Sequence, residues 1–335
     1  MMTIIAGILL FGFIVFIHEL GHFLFAKKAG INIYEFSIGM GPKIISKQKD
    51  ETMYSIRAFP IGGYVSMEGE DEKVSTQNSF GEKTLLQRAS VIAAGPIFNI
   101  ILTILLLIPV FFSMGVPTNE NIVGTVQQGS PAIESGLTDN DKILSIDGEE
   151  VNSWEEIVSI LSTKSSEINL LVDRNGEEIE ISVTPKEEDG RYIIGIVPYY
   201  EKSISNSVFS AFTTTFDMIK EMLSFLLQLV TGSLPEDQKD AVAGPIGVIG
   251  IVSDAASMGI TQLVYVGAVI SLNLGVMNLL PIPALDGGRL LFLLFEAITG
   301  KKLDPDKEIM INNVGFMMLM AFMLFVTFKD VGRLF

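Results

Sequence analysis

The chain has 335 residues, 48% of them hydrophobic, and the apolar residues gather in a few long runs, as in a multi-span α-helical membrane protein. Its formal net charge is −16, most of the acid lies between about 120 and 260, and no basic patch exists to neutralise phosphates, so no nucleic-acid partner is expected. Cysteine is absent, which excludes a disulfide framework and thiolate chemistry.

The first apolar run, 3–25, is close to the ~20 residues a helix needs to cross a hydrocarbon core. It lacks the basic n-region and small-residue cleavage site of a secretory signal, so a permanent helix is expected. Within it, FIVFIHELGHFLFAKK sets three titratable groups in hydrocarbon-like sequence. His18, Glu19 and His22 make H-E-x-x-H. Positions i and i+4 of a helix share a face, so both imidazoles can reach one metal ion while Glu19 stands beside the attacking water as general base. The five-letter pattern also arises by chance in soluble proteins. Here, however, it holds both of the chain's histidines, and charged groups at membrane depth cost at least ~2.5 kcal/mol each on insertion scales.

The second run, 89–113, is a further span. Between 115 and 200 the pattern changes to short alternating strands, NIVGTV, DKILSIDG, INLLVDR and EEIEISVTP, with turns such as RNGEE. One helix interrupts them, SWEEIVSILS, with Ser153 as N-cap and acids in its first turn. The stretch 205–231 carries Val208, Phe212, Phe216, Ile219, Leu223, Leu226 and Val230 at helical spacing, opposite Asp217, Lys220 and Glu221. A helix along the membrane surface fits this better than a fifth span.

The last two spans are 261–283 and 309–328. Lys27 and Lys28 close the first span, Lys83 and Arg88 precede the second, and Lys301, Lys302 and Lys307 precede the fourth. Those ends are expected in the cytosol, with the strand-rich block and both termini outside it.

A catalytic zinc needs a third protein ligand and an open position, and no third histidine exists. The acids nearest apolar runs are Asp217, Asp286 and Glu296. Asp217 falls on the polar side of the surface helix, and nothing before Glu296 opens its helix. Asp286 follows NLLPIPALDGG, where Pro281 and Pro283 interrupt helical hydrogen bonding and two glycines allow a sharp turn. Unwound backbone at membrane depth is tolerated where it lines a cavity, which favours Asp286. Two imidazoles and one carboxylate favour zinc among divalent metals.

H-E-L-G-H in the first span, G-P-I-F-N in the second (Gly95, Pro96, Asn99) and N-L-L-P-I-P-A-L-D-G-G in the third resemble the site-2 protease family of intramembrane zinc metalloproteases, in the bacterial type with a single PDZ domain. The likeness runs over essentially the whole chain and includes FSIGMGPKI after the first span. It implies His18, His22 and Asp286 as ligands of Zn2+ and Glu19 as general base. Asn273 and Asn278 match family asparagines that hold substrate or order the site, with ordinary interhelical bonding as the alternative. Pro281 and Pro283 match the prolines that shape it, and Asn99 matches a site residue that could equally serve only to join helices.

IRAFPIGGYVSMEGE, 56–70, resembles the family's membrane-dipping hairpin, with Gly62 and Gly63 at the turn and an edge able to pair with an unwound substrate strand. GSPAIESGL and DKILSIDGEEV resemble parts of a permuted PDZ fold, which either captures a C-terminus or excludes bulky ectodomains. AGPIGVIG, 243–250, resembles the region that follows it.

The expected fold is therefore a multi-span α-helical membrane protein of four transmembrane helices, with an inserted extracytoplasmic mixed α/β PDZ domain and a membrane-associated β-hairpin. The expected divisions are two protease core halves (1–114 and 261–335), the PDZ domain (115–202) and an amphipathic region (203–260). By resemblance, the activity is cleavage of single-pass transmembrane substrates, anti-sigma factors or signal-peptide remnants, already cut by a site-1 protease. The place is the bacterial cytoplasmic membrane, with the active site open to the cytosol. The rival readings are a membrane-anchored zinc protease of quality control, a non-catalytic PDZ-bearing receptor and a transporter. The last lacks an inverted repeat and leaves the histidines unexplained.

Overall fold

A computed structural model describes residues 2–70, 76–188, 190–235 and 244–333. Residues 236–243, within the expected amphipathic region and including Ala243 of AGPIGVIG, lie outside the described residues. The chain divides into two compact units, one of residues 1–110 with 211–335 and one of residues 111–210.

The first unit opens with α1 (Met2–Lys28), followed by β1 (Ile33–Lys49), β2 (Thr52–Met67) and α2 (Leu85–Met114). Lys49 faces Thr52 across a tight turn, where Asp50 takes the left-handed conformation that Asp tolerates. Residues 43–49 run beside 52–57, while 33–38 face both 63–67 and 53–56.

The hairpin expected within 56–70 is thus corrected. Its two arms do not pair with each other; they flank the first half of β1. The reason lies in burial. Ile33 and Phe36 are buried, and Phe36 packs on Phe23 and Phe16 of α1 with ring centroids 4.9 and 5.9 Å apart. The first half of β1 therefore takes the middle of the sheet, and both parts of β2 gain by lying against it. Thr84 and Gln87 start α2 with a capping box, each side chain bonded to the other's backbone N–H at 3.3 and 3.0 Å.

The second unit holds β3 (Val116–Pro117), β4 (Val123–Val126), α3 (Pro131–Glu134), β5 (Lys142–Ile146), β6 (Glu149–Glu150), α4 (Trp154–Leu161), β7 (Ile168–Arg174) and β8 (Glu177–Val183). Four short strands complete it: β9 (Lys186–Glu188), β10 (Arg191–Ile193), β11 (Ile196–Pro198) and β12 (Tyr200–Glu201). The main sheet has the order β6-β5-β7-β8, and β11 pairs with β4. Asn175 and Gly176, both at positive φ, make the two-residue turn between β7 and β8. Ser153 caps α4 by accepting from the Glu156 N–H at 3.3 Å. Inside lies one core built on Ile143, Ile157, Ile168 and Leu170.

The chain continues with α5 (Ile204–Thr231), α6 (Pro245–Met258), α7 (Ile260–Leu279), α8 (Asp286–Thr299) and α9 (Pro305–Arg333). Among the described residues, four helices are long and apolar enough to cross a membrane: Ala6–Lys28, Leu85–Met114, Ile260–Leu279 and Asp306–Gly332. The third stops at Leu279, short of the expected 283. Leu280 is extended because it precedes Pro281, whose ring disfavours a helical neighbour. The helix α6 does not figure in the sequence reading, and α8 figures there only as the helix of Glu296, without bounds. The start of α6 is held by the buried Asp330 carboxylate, which accepts from the Gly244 and Gly247 N–H groups at 3.1 and 3.0 Å.

Candidate metal centre

All the side chains at this centre come from the first unit. His18 and His22 stand one turn apart on α1, with ring centroids 4.8 Å apart and planes near perpendicular. The break after α7 brings in Asp286, the first residue of α8. Across that break Ala284 sits at φ +74°, and its N–H donates to Asn312 Oδ1 of α9 at 3.2 Å. Strained backbone of this kind persists only where the surroundings over-determine it, here by two prolines and the α9 contact.

His18 Nε2 lies 3.2 Å from His22 Nε2 and 3.2 Å from Asp286 Oδ2, and His22 Nε2 lies 3.5 Å from the same oxygen. A tetrahedral zinc with ligands at 2.0–2.1 Å would put its ligand atoms about 3.3 Å apart. Asp286 Oδ2 is buried and has no hydrogen-bond donor. Two ring nitrogens and an orphaned carboxylate oxygen at these distances fit a divalent cation. Of the three candidate acids, Asp286 alone joins the histidines. Asp217 is exposed and pairs with Lys220 at 3.0 Å, and Glu296 pairs with Arg88 at 2.6 Å.

The α2 helix sets the imidazoles from behind. His22 Nδ1–H donates to the Val91 carbonyl at 2.9 Å, which leaves Nε2 as the lone-pair nitrogen. Gly95 makes this possible, since a Cβ there would sit 2.3 Å from His22 Nε2. His18 Nδ1 faces the side-chain amide of Asn99, 3.4 Å away and fully buried. Glu19 lies beside the Val65 backbone N–H. It also lies against Gly63, where a Cβ would come within 3.1 Å of its Cγ. The edge of β2 thus touches the carboxylate proposed by sequence as the base.

A cavity of about 510 Å3 opens on His18, Glu19, His22 and Asp286, with Tyr64 to Met67 on one wall and Asn278 on another. Asn273 does not line it. It is exposed and bonds back to Val269 of its own helix, because five residues along a helix turn a side chain about 140° from Asn278. Gly62 is at φ +87° and faces Met40, away from Glu19. Pro281 and Pro283 occupy the break between α7 and α8.

Two features escaped the sequence reading. Arg289, one turn beyond Asp286, forms an ion pair with Glu70 on the cavity wall. A cation one turn after the acid of an apolar helix was its available signal. The second is a network beneath Tyr64. Arg57 donates to Glu35 at 2.9 Å and to the Tyr64 hydroxyl, and Ser55 donates to Glu35 at 2.5 Å. Burial pushes the Glu35 carboxyl up, but the bonds from Ser55, Arg57 and Lys43 outweigh it and hold the group at about 2. Nothing in the spacing of these residues announces the network.

A model of peptidase family M50 matches residues 6–322. The chain is 36% identical, over 99% of its length and 99% of the relative's, to the Regulator of sigma-W protease RasP of Bacillus subtilis. It is 34% identical to the Zinc metalloprotease RasP of Geobacillus kaustophilus, covering 99% and 98%. A protein of Clostridium acetobutylicum is 41% identical over 98% and 97%. Among solved structures, the PDZ domain of an SdrC-like protein from Listeria monocytogenes aligns with 25% of this chain and 90% of its own, at 21% identity and a TM-score of 0.22.

Proposed function

Since this chain belongs to peptidase family M50, the site-2 proteases, and is a multi-pass membrane metallopeptidase, we propose that it hydrolyses peptide bonds in or near the transmembrane segments of single-pass proteins. The observation that carries this reading is the convergence of His18 Nε2, His22 Nε2 and Asp286 Oδ2 beside Glu19, with the histidines and Glu19 on a helix apolar enough to cross a bilayer and Asp286 just past the end of another. These three side chains would hold zinc. When bound, zinc supplies Lewis-acid polarisation and a water that ionises near neutral pH.

The chain's own residues do the rest. Glu19 takes a proton from the attacking water and passes it to the leaving amine. The cavity-lining edge of β2 at Tyr64–Ser66 pairs with a substrate strand, and Asn278 holds the strand's backbone across the cavity. A substrate helix must unwind first, because a helical peptide bond is already hydrogen-bonded and covered. The lysine-bearing ends of the spans lie in the cytosol, and water reaches the site from that side. The sheet of β1 and β2 associates with the membrane, and α5 lies along its surface. Residues 115–202, within the 111–210 unit, form an extracytoplasmic PDZ domain, a reading supported by GSPAIESGL and DKILSIDGEEV. Substrates are anti-sigma factors or signal-peptide remnants in a bacterial cytoplasmic membrane, shortened beforehand by a site-1 protease.

The test is a Glu19→Gln variant expressed with a tagged single-span substrate. The substrate is expected to accumulate uncut. Cleavage by E19Q at the parent's rate would remove Glu19 as base, and a parent that cuts only soluble proteins would remove the intramembrane reading.

A further inference from the structure

We infer that Asn99 is a positioning residue whose side-chain oxygen accepts the Nδ1 proton of His18, fixing the tautomer that frees Nε2 for metal. This rests on the metal-centre reading above and goes beyond it, because that reading leaves open whether Asn99 does more than join helices.

The two histidines present the same requirement and meet it differently. Each must turn an unprotonated Nε2 toward Asp286, so each must carry its proton on Nδ1 and give it to an acceptor. For His22 the acceptor is the Val91 main-chain oxygen at 2.9 Å. For His18 the group at hand is the Asn99 amide, whose Nδ2 lies 3.4 Å from Nδ1. Asn99 is fully buried, so no bulk water stands in.

An Asn99 that donated Nδ2–H to His18 would push the histidine's proton to Nε2. There it would point among His22 Nε2 and Asp286 Oδ2 and block ligation. A half-turn of the amide, whose two ends are nearly equal in size, exchanges donor for acceptor in the same space. Asn99 Oδ1 has no partner in the present orientation, and one end of the amide is left over in either, so unpaired atoms do not choose between the two. The histidine's proton does.

The surroundings keep the amide in place whichever way it turns. The Asn99 carbonyl accepts from Ser271 Oγ at 2.8 Å and from Thr103 Oγ1 at 2.9 Å, and Gly275 of α7 packs so closely that its Cβ would lie 3.2 Å from Asn99 Cβ. Joining of α2 to α7 at this level is therefore done by main chain and hydroxyls, which leaves the side chain for His18.

The test measures Zn2+ affinity by chelator competition, and the visible spectrum of the Co2+ form, on the full chain in detergent. Four proteins are compared: the parent, Asn99→Leu, Asn99→Asp and Ser271→Ala. N99L, similar in shape but without an acceptor, should bind zinc about 10–100-fold more weakly and show an altered Co2+ spectrum. N99D keeps an acceptor and has no amide donor, so it should bind at least as tightly as the parent with the parent's spectrum. S271A cuts only a bond between helices and should match the parent. The inference fails if N99L binds like the parent, if N99D loses as much as N99L, or if S271A weakens binding as much as N99L. Should N99L not fold, N99D alone decides between acceptor and donor. A parent that binds no metal would sink the metal-centre reading and this inference together.

Discussion

The 111–210 unit and the helices of the other unit differ in what they expose. In the first, Ile143, Ile157, Ile168 and Leu170 are fully buried, while Glu177, Glu178 and Glu180 of β8 face outward. In the second, Met317, Phe325 and Phe328 of α9 are more than two-thirds exposed, while His18, Asn99, Thr103 and Ser271 are buried. Both follow one rule under different solvents. In water the apolar groups leave the surface; in hydrocarbon the surface costs them nothing, and only the interior can satisfy polar groups. Polar side chains inside the helical unit are therefore where function is to be sought, whereas those inside the other unit serve its stability.

Four substitutions sharpen this contrast. Leu105 on α2 and Val158 on α4 are similarly exposed, at 58% and 51%. Leu105→Arg should cost about 2.5–3.5 kcal/mol of membrane insertion, and Val158→Lys less than about 0.5 kcal/mol. A glycosylation-reporter insertion assay for the first and thermal unfolding for the second read these out, and equal effects would break the comparison.

Next in size is Arg174→Leu. Arg174 grips the buried Asp141 with two bonds of 2.8 Å, and its loss should destabilise β5 and β7 by about 2–3 kcal/mol, seen as faster amide exchange in those strands. Burial raises the Asp141 carboxyl, but Arg174 and Thr138 outweigh burial and hold it below its ordinary value. A carboxyl depressed in the folded state stabilises at neutral pH, and that contribution fades as pH falls through and below the ordinary Asp range near ~4. R174L should flatten that acid limb while leaving zinc affinity unchanged.

Smaller than the loss of Arg174 is the effect of Ser153→Ala, which removes the α4 cap at a cost of about 1 kcal/mol. Fraying of α4 in exchange data, with α1 unaffected, is the expected sign.

What could be read beforehand divides along physical lines. The spans showed because some twenty apolar residues in a row have few other uses, and H-E-x-x-H showed because helical spacing puts both imidazoles on one face. Asp286 was legible from Pro281 and Pro283, since a broken helix in an apolar run calls for an explanation. The pairing of β2 with β1 was not, because alternation fixes which face a residue takes and leaves its neighbour strand open. Nor was α6, a Gly-containing run of 14 residues whose start depends on Asp330, more than eighty positions away. Asn273 was matched by motif; the helical turn between it and Asn278 puts it outside the cavity.

The distance along the chain between the two parts of the metal centre has a consequence for biosynthesis. Arg88 meets Glu296 across 208 positions, and His18 meets Asp286 across a still longer stretch. A polypeptide emerging from its N-terminus carries both histidines into the bilayer well before the ribosome reaches the aspartate. The three candidate ligands can therefore come together only late in synthesis.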